Sequence, residues 1–325
     1  MGVRPRVLVV SCLYGTRVRL LVEAEMGRRG WGVAVTPAEA GVMVVCGTPG
    51  DSMRPAVRGV WEAVPRPRTL VELAAGASGA EVARALDLSD GSDPSWTGPR
   101  GDVGMAARGA DRDGLRLDRL HVPLGPVLAD WPAGLVVETV LQGDVIQEAV
   151  VRVLPPGEEG MCFWADGDAA WRLDSLGRLF GVAGWPWAAR EARRLRDRLL
   201  HGGDVGREHE RFARRVRGSR VLRWMLRGVG RVEGDVPGWM RGDVLDRTYA
   251  WLNAVETGIA APDHAGGGGR GDAAVALALL PGLLTGAELA VARLIVASLD
   301  PDLERLPGEP RPGPRTTAGR GDGTP

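Results

Sequence analysis

Three cysteines and four histidines are the side chains of this sequence best suited to hold a metal or to act as nucleophiles. The cysteines, Cys12, Cys46 and Cys162, are odd in number and far apart, which fits neither a disulfide framework nor a zinc site. His209-Glu210 lacks the second histidine of a zinc-binding helix motif. The pattern therefore predicts free thiols in a reduced, cytoplasmic setting.

Every basic residue other than histidine is arginine, which we attribute to the codon bias of a GC-rich bacterium. Without lysine, the chain cannot supply the lysine of a phosphate-binding loop, a Schiff base or a kinase site. The 41 arginines are balanced by 41 acidic residues, so the overall charge indicates no polyanionic partner.

One segment departs from this balance, because residues 190–231 contain fourteen arginines and five acidic residues. The arginines expected on its helical faces are Arg193, Arg194, Arg214, Arg215, Arg217, Arg220 and Arg223. This segment forms either a solvated surface or a contact for an acidic protein subunit, anionic lipid or nucleic acid.

The spacing of apolar residues predicts the elements that position these groups. Residues 7–12, 42–46 and 69–73 are predicted strands, and residues 16–29 and 53–63 are predicted helices. This alternation is typical of right-handed crossovers on a parallel sheet. We therefore expect an α/β fold class: a small doubly wound, flavodoxin-like parallel sheet, followed by a β-hairpin and a mainly helical domain.

The same patterns divide the chain into five parts. They are an α/β domain at 1–86, a linker at 87–114, a β-hairpin region at 115–160, a helical domain at 161–302 and a disordered tail at 303–325. The hairpin turn is predicted at Gln142-Gly143-Asp144, between strands at 135–141 and 145–154. Pro281-Gly282 is predicted to separate the last two helices.

Several short motifs follow one another in the first domain. The strand ending at Cys46 leads into Gly47-Thr48, a helix starts at Met53-Arg54-Pro55, and Pro65-Arg66-Pro67-Arg68 leads into the next strand. This order resembles the central block of the B-type iron–sulfur subunit of NADH–quinone oxidoreductase, whose fold also underlies the small subunit of nickel–iron hydrogenases. The resemblance implies a 4Fe–4S cluster held by four cysteine thiolates.

The cluster ligands that this resemblance implies are mostly missing. Cys12 follows the first strand, where the family has its first ligand, but Leu13 and Gly15 stand at the two possible places of the second. The third place falls in residues 74–77, which contain no cysteine, and the Gly-Cys-Pro motif of the fourth ligand is absent. Cys12 is therefore the single ligand-like position left, and we expect no bound cluster.

A second block runs from Leu120 to Gly125-Pro126 and is followed by Gly134 and the turn at Gly143-Asp144. This order resembles the opening of the D-type subunit of the same complex, in which a histidine-containing loop and a hairpin lead into a helical bundle. The family has two histidines in that loop, and here Leu128 and Pro132 or Ala133 stand near their places. The Cys-x-x-Cys pairs that hold nickel and iron in hydrogenases are absent.

Together the two resemblances imply a degenerate subunit or scaffold, not catalytic by itself, of a complex I-like or hydrogenase-like assembly. Its partners would be protein subunits, with peripheral contact to the inner face of the cell membrane and no nucleic acid. Two alternatives remain open. In the first, the chain is an active iron–sulfur oxidoreductase component, and Cys12 completes a cluster together with cysteines of a partner. In the second, it is a stand-alone binding protein that uses the arginine-rich helices at 190–231.

Overall fold

The computed structural model describes residues 4–87, 107–110, 116–165, 168–260 and 271–306. Most of the predicted linker and tail, at 88–106 and 307–325, lies outside the described residues. Within the described ranges the chain forms a parallel sheet, an antiparallel sheet and ten α-helices. The predicted α/β fold class is confirmed.

The first part of the chain is a parallel sheet with the strand order β2-β1-β3-β4. Its strands are β1 (Arg6–Ser11), β2 (Gly32–Val33), β3 (Val42–Cys46) and β4 (Thr69–Leu73), and its helices are α1 (Thr16–Arg29), α2 (Arg54–Glu62) and α3 (Gly79–Asp87). Val22 of α1 and Val82 of α3 pack on one face of the sheet, and Trp61 of α2 packs on the other. The sheet is therefore covered on both faces, as a doubly wound fold requires.

Helix α1 shows how local sequence sets these boundaries. Val18, Val22 and Met26 recur at helical spacing and are buried against the sheet. Gly30 adopts a left-handed conformation with a φ of 65° and ends the helix. The N–H of Trp31 then donates to the carbonyl of Met26 at 2.9 Å, which satisfies an otherwise open carbonyl.

The second sheet is antiparallel, with the order β5-β6-β7-β8. Its strands are β5 (Ala107–Ala110), β6 (Arg116–Leu124), β7 (Leu135–Gln142) and β8 (Val145–Val153). The hairpin of β7 and β8 is confirmed within one residue of its predicted ends.

The structure also shows two strands that the sequence did not predict. Strand β5 lies inside the predicted linker, and β6 covers the expected histidine-containing loop. Leu120, Val122 and Leu124 alternate along β6 with Arg119 and His121, and Leu124 is buried in the core beside Val122. The strand pairs with β7 over residues 119–124.

The rest of the described chain is helical. The helices are α4 (Ala169–Val182), α5 (Pro186–Leu200), α6 (Gly206–Gly218), α7 (Arg220–Leu226), α8 (Val244–Ala260), α9 (Asp272–Leu284) and α10 (Leu289–Leu299), with short 3-10 turns at Pro37–Glu39, Gly238–Met240 and Leu303–Arg305. Helix α4 contacts α5, α8 and α10 and is buried on almost every side. It is the central helix of this half, although it contains Arg172 and Asp174.

The predicted break at Pro281-Gly282 is wrong by a few residues. Helix α9 continues through Pro281 and ends at Leu284, because a proline in the last turn removes only one N–H donor. The turn that follows pairs with the start of β8, where the N–H of Ile146 donates to the carbonyl of Ala287 at 2.9 Å. Among the described residues, no helix combines the length and apolar character needed to cross a bilayer.

Candidate functional site

The strand order of the parallel sheet reverses between β1 and β3, and ligands of such folds bind at the carboxyl ends of the strands at this point. The loop that follows β1 begins at Cys12, and the loop that follows β3 begins at Gly47. The N–H of Cys12 donates to the carbonyl of Cys46 at 2.9 Å, and the N–H of Gly47 donates to the carbonyl of Leu73 at 2.8 Å. The sequence motifs around Cys12 and Gly47 therefore meet at one edge of the sheet.

This edge is closed by the chain itself. A Cβ added to Gly50 would lie 2.4 Å from the carbonyl oxygen of Pro155, and one added to Gly157 would lie 2.4 Å from that of Thr48. Only glycine permits backbones to approach this closely. On the other side of the crevice, a Cβ on Gly160 would lie 2.5 Å from the Cβ of Tyr14. Residues 155–160, the covering segment, thus fill the place where such a fold opens to a ligand.

The buried thiols at this edge are held in their neutral form. Cys12 is 1% exposed, and burial, reinforced by the charge of Glu158, raises its pKa to about 12. Burial also raises the pKa of Cys46. Cys162 is half-buried in another part of the chain, and desolvation together with Asp302 raises its pKa to about 11. Thiolates, which bind metals and attack electrophiles, are thus disfavoured at all three positions near neutral pH.

These environments predict the order in which the thiols react. With a disulfide reagent at pH 8, we expect Cys162 to react first and Cys12 and Cys46 to react only after the protein opens locally, because the latter two are buried. Replacing Cys162 with serine should remove the fast phase, and all three thiols should react together in denaturant. A fast phase that survives in the Cys162→Ser protein would contradict this assignment.

The other residues singled out in the first domain have structural roles. Met53 is buried beside α2, Pro55 lies in the first turn of that helix, and the Arg66–Pro67 bond, which follows Pro65, is cis. The guanidinium of Arg68 stacks on the ring of Trp61 at 4.3 Å and donates to that residue's carbonyl at 2.7 Å. It therefore closes the carboxyl end of α2, where a cation is favoured.

The residues of the second block bound strand β7. Gly125 and Pro126 are joined by a cis bond at the start of the loop from β6 to β7, and Gly134 ends that loop. A Cβ on Gly134 would lie 2.9 Å from Leu13, so the loop rests on the residue after Cys12. Gly143 and Asp144 form the hairpin turn, and the carbonyl of Asp144 accepts from the N–H of Leu289 at 3.0 Å. The Gly134 end of the second block thus meets the loop that follows β1, while its Gly143-Asp144 turn meets the start of α10.

A network of charged side chains joins the α/β half to the helical half. Its members, which we call the charge network, are Arg19, Glu23, Asp130, Asp174, Arg178, Arg193, Arg196, Asp197 and Asp300. They come from α1, from the loop between β6 and β7, from α4 and α5, and from the residue after α10. Segments that are distant along the chain are therefore tied together at one place.

Asp174 is the centre of the charge network and is 1% exposed. Its two carboxylate oxygens accept from both terminal nitrogens of Arg19, at 3.1 and 2.7 Å. Arg196 donates to the same carboxylate at 2.6 Å, and Arg178 approaches it at 3.2 Å. Three arginines on three helices thus share one buried acceptor, and paired charges of this kind are the ones that proteins retain in their interiors.

The remaining acids occupy the outer part of the charge network. Glu23 accepts from Arg19 at 2.8 Å and from Arg196 at 2.7 Å. Arg178 donates to Asp300 at 2.7 Å. Arg193 donates to Asp130, so its side chain is turned inward and does not belong to the outer arginine surface expected from the sequence.

The pKa shifts of the carboxyl groups in the charge network follow from this geometry. Burial alone would raise the pKa of Glu23, but Arg19 and Arg196 outweigh it and lower the value to about 2. The pKa of Asp174 is likewise lowered, because Arg19 and Arg178 outweigh the effect of its burial. At Asp130, Asp197 and Asp300 the effect of burial exceeds that of the neighbouring arginines, and the pKa of each carboxyl group is raised. Five carboxylates face four guanidiniums in the network, which therefore contains one more acid than base.

A cavity of about 70 Å³ lies beside the charge network, between the β1 edge and the helical half. Arg19 and Arg178 line one wall, Thr16 lies at the α/β side, and Trp164 and Trp171 close it toward the helices. This volume has room for roughly two water molecules, whereas pockets for drug-sized ligands usually measure hundreds of cubic ångströms.

Cys162, Asp302 and Glu304 also come together next to this cavity, with possible ligand atoms within 4.8 Å of one another. Each already has a partner. The thiol of Cys162 donates to Asp302 at 3.4 Å, and Thr16 donates to Glu304 at 2.7 Å through its hydroxyl. Asp302 also accepts from Arg305 at 3.1 Å, which supplies a positive charge. The cluster therefore fastens the 3-10 turn at Leu303–Arg305 to the start of α1.

The arginine-rich segment is divided between two environments. Arg194 pairs with Glu191 and Glu208, and Arg196 lies inside the charge network. Arg214, Arg215, Arg217, Arg220 and Arg223 lie on α6 and α7 with exposed or half-exposed side chains. Arg214 pairs with Glu210, Arg217 pairs with Glu256, and Arg215 stacks on Trp187 at 4.0 Å.

His209, on the inner face of α6, carries a pH-dependent contribution to stability. It is 2% exposed, its Nε2 has no hydrogen-bond partner, and burial lowers its pKa from 6.5 to about 4. The unfolded chain therefore binds a proton near pH 6.5 that the folded chain does not accept until about pH 4. The free energy of unfolding should accordingly fall as the pH is lowered through this window, by on the order of 3 kcal/mol.

Replacing His209 with leucine should remove that part of the acid sensitivity. Urea unfolding at intervals between pH 7 and pH 4 would show a shallower decrease for His209→Leu than for the natural chain. His201→Leu is the matched control, because His201 is exposed at the end of α5. Equal slopes for the natural chain and the His209→Leu protein would contradict the assignment.

No protein-family profile matches the chain, and no curated protein matches it. Among solved structures, the chain is similar to one in the structure of the membrane-bound sulfane sulfur reductase, an archaeal respiratory membrane complex. The two are 13% identical with a TM-score of 0.42, and the match covers 57% of this chain and 98% of the other.

Proposed function

We propose that this chain is a non-catalytic subunit, a structural scaffold in a membrane-associated redox assembly of the complex I and hydrogenase type. The observation that carries the proposal is the covering segment, which closes the crevice at the carboxyl ends of β1 and β3 with backbone-to-backbone contacts at Gly50 and Gly157. In folds of this kind that crevice is where a ligand binds. In this chain the backbone of the covering segment occupies the crevice, so internal packing takes the place of a ligand-binding site.

The residues present do not fit the cluster that the resemblance implies. A 4Fe–4S cluster needs four thiolates. At the relevant edge Cys12 is accompanied by Leu13 and Gly15, and its thiol is buried with its pKa raised to about 12. Cys46 lies inside β3 rather than in a loop and is fully buried. Cys46 packs with Val18 and Val22 of α1. Neither side chain is therefore placed to share a cluster with a partner in this arrangement.

The charge network supports a scaffold in a second way. The resemblance assigns the two halves of this chain to separate subunits, whereas here the halves are covalently joined and held by buried ion pairs. Arg19 of the α/β half donates to Asp174 of the helical half at 2.7 and 3.1 Å, and Arg196 of the helical half donates to Glu23 of the α/β half at 2.7 Å. A rigid joint of this kind suits a component whose task is to hold neighbours in fixed relative positions.

The proposal is tested by purifying the tagged chain from its own cells in mild detergent and identifying what accompanies it. We expect subunits of a membrane redox complex in fixed proportion, and iron and acid-labile sulfide far below one cluster per chain in anaerobically prepared protein. A strain that carries the tag alone controls for adventitious capture.

Stoichiometric iron and sulfide would overturn the non-catalytic assignment. In that event a Cys12→Ser protein, compared with the matched Cys162→Ser protein, would show whether Cys12 is a ligand. Loss of a native redox signal in the first variant alone would favour the active iron–sulfur alternative. Recovery of the chain without any redox subunit would overturn the scaffold role.

A further inference from the structure

The short helix α7 has one face anchored and one face in solvent. Leu222 and Leu226 are buried in the core of the helical half. Ser219 caps the helix, since its hydroxyl accepts from the N–H of Leu222 at 3.2 Å. The orientation of the helix is therefore fixed, and the residues on its other side are held outward.

That outward side carries two large apolar residues that the core does not use. Trp224 is 84% exposed and Val221 is 67% exposed. They lie three residues apart and so are neighbours on the same helical face. The other tryptophans of this region behave differently, because Trp185 and Trp187 pack with Phe180 and Phe212. An indole this exposed on a well-anchored helix is unusual in a folded chain.

Arginines surround the exposed indole. Arg220 lies four residues before Trp224 and Arg227 three residues after it, and Arg223 lies beside it; all three are exposed. Among the described residues, no carboxylate lies within ion-pair distance of these three guanidiniums. We call Arg220, Val221, Arg223, Trp224 and Arg227 the α7 face.

The surrounding sequence keeps this region positive. Between Glu210 and Glu233 the chain contains no acidic residue. The arginines in this interval are Arg211, Arg214, Arg215, Arg217, Arg220, Arg223, Arg227 and Arg231. A positive field of this kind is local, because the whole chain has no net charge.

We propose that the α7 face binds the surface of an anionic lipid bilayer. Tryptophan is favoured at the boundary between head groups and acyl chains, and arginines beside it can bind lipid phosphates. Val221 distinguishes this partner from nucleic acid, since an exposed aliphatic side chain next to the indole gains from acyl chains and contributes nothing to base stacking or phosphate binding. The inference does not rest on the proposed scaffold role, because it needs only this chain and lipid.

The test is co-sedimentation of the purified full chain with vesicles. We expect binding to vesicles that contain phosphatidylglycerol, little binding to vesicles of phosphatidylcholine alone, and weaker binding as salt is raised. Changing Arg220, Arg223 and Arg227 to glutamine should weaken binding on the order of 100-fold. Trp224→Ala should weaken it roughly tenfold. Brominated lipids should quench less tryptophan fluorescence in that variant than in the natural chain.

Matched controls separate the α7 face from charge and hydrophobicity in general. The triple change R54Q, R84Q and R152Q removes the same charge from exposed arginines elsewhere, and Met161→Gln removes an apolar side chain that is 88% exposed. Both controls should bind like the natural chain. Failure to bind anionic vesicles, equal losses in the controls, or binding of a DNA duplex but not of vesicles through the same arginines would overturn the proposal.

Discussion

Changing Asp174 to asparagine is expected to lower the free energy of unfolding by about 3 to 5 kcal/mol, the usual effect of removing one partner from a buried ion pair. The side chain is 1% exposed and accepts from Arg19, Arg178 and Arg196. Asparagine keeps the shape but loses the negative charge, and its amide group would point donors at guanidiniums that are themselves donors. Urea unfolding of the two proteins at pH 7 measures the difference.

Glu210→Gln is the matched control for this change. Glu210 pairs with Arg214 on the surface of α6, where both side chains are more than half exposed. Such a pair contributes about 0 to 1 kcal/mol. Equal effects of the two changes would show that the charge network does not hold the halves together.

The charge network also predicts the response of the natural chain to acid. The folded-state pKa of Glu23 is lowered to about 2 from 4.5, and that of Asp174 is lowered as well. Stability from these carboxylates is therefore fully present above about pH 4.5 and is lost as the pH falls toward 2. The Asp174→Asn protein should lose less stability over this range than the natural chain.

Changing Gly50 to valine is expected to lower stability by about 2 to 3 kcal/mol and to lift the covering segment. The added Cβ would lie 2.4 Å from the carbonyl oxygen of Pro155 and 3.2 Å from the carbonyl carbon of Pro156. Both are backbone atoms, which cannot turn aside as a flexible side chain can. Urea unfolding gives the stability, and the reaction rate of Cys12 with a thiol reagent in a Cys162→Ser background reports the opening.

Gly59→Ala is a control for which we expect a change in stability of the opposite sign. Gly59 lies within α2, and a Cβ there would meet no atom within 4 Å. Alanine in a helix is favoured over glycine by about 1 kcal/mol, so this change should stabilise the protein. If Gly50→Val neither destabilised the chain nor exposed Cys12, the covering segment would not be packed against the β3 loop as described.

The sequence predicts helices and strands correctly where the spacing of apolar residues agrees with the glycines and prolines that mark the ends of the elements. Strands β3 and β4 and helix α1 have their predicted limits, because buried valines, a following glycine and prolines mark them. Helix α3 was missed although a signal was present. Ser78 and Glu81 form a capping box, in which Glu81 accepts from the N–H of Ser78 at 2.7 Å and Ser78 from the N–H of Glu81 at 3.3 Å.

The charge network could not be predicted in the same way. Arg19 and Asp174 are 155 residues apart in the sequence, and no local pattern distinguishes a buried arginine from a solvated one. Arg193 and Arg194 are adjacent in the arginine-rich segment, yet one pairs with Asp130 and the other with surface acids. Only the packing of α5 against α4 and α1 decides between the two environments.

The separation between the partners of the charge network has a consequence for how the chain is made. During synthesis, Arg19 and Glu23 leave the ribosome long before Asp174 and Arg196. Until then, the inner face of α1 carries charges that have only each other and water as partners. The α/β half therefore reaches its final packing only after α4 and α5 have been synthesised, and a chain that stops before them would present this charged face to chaperones and proteases.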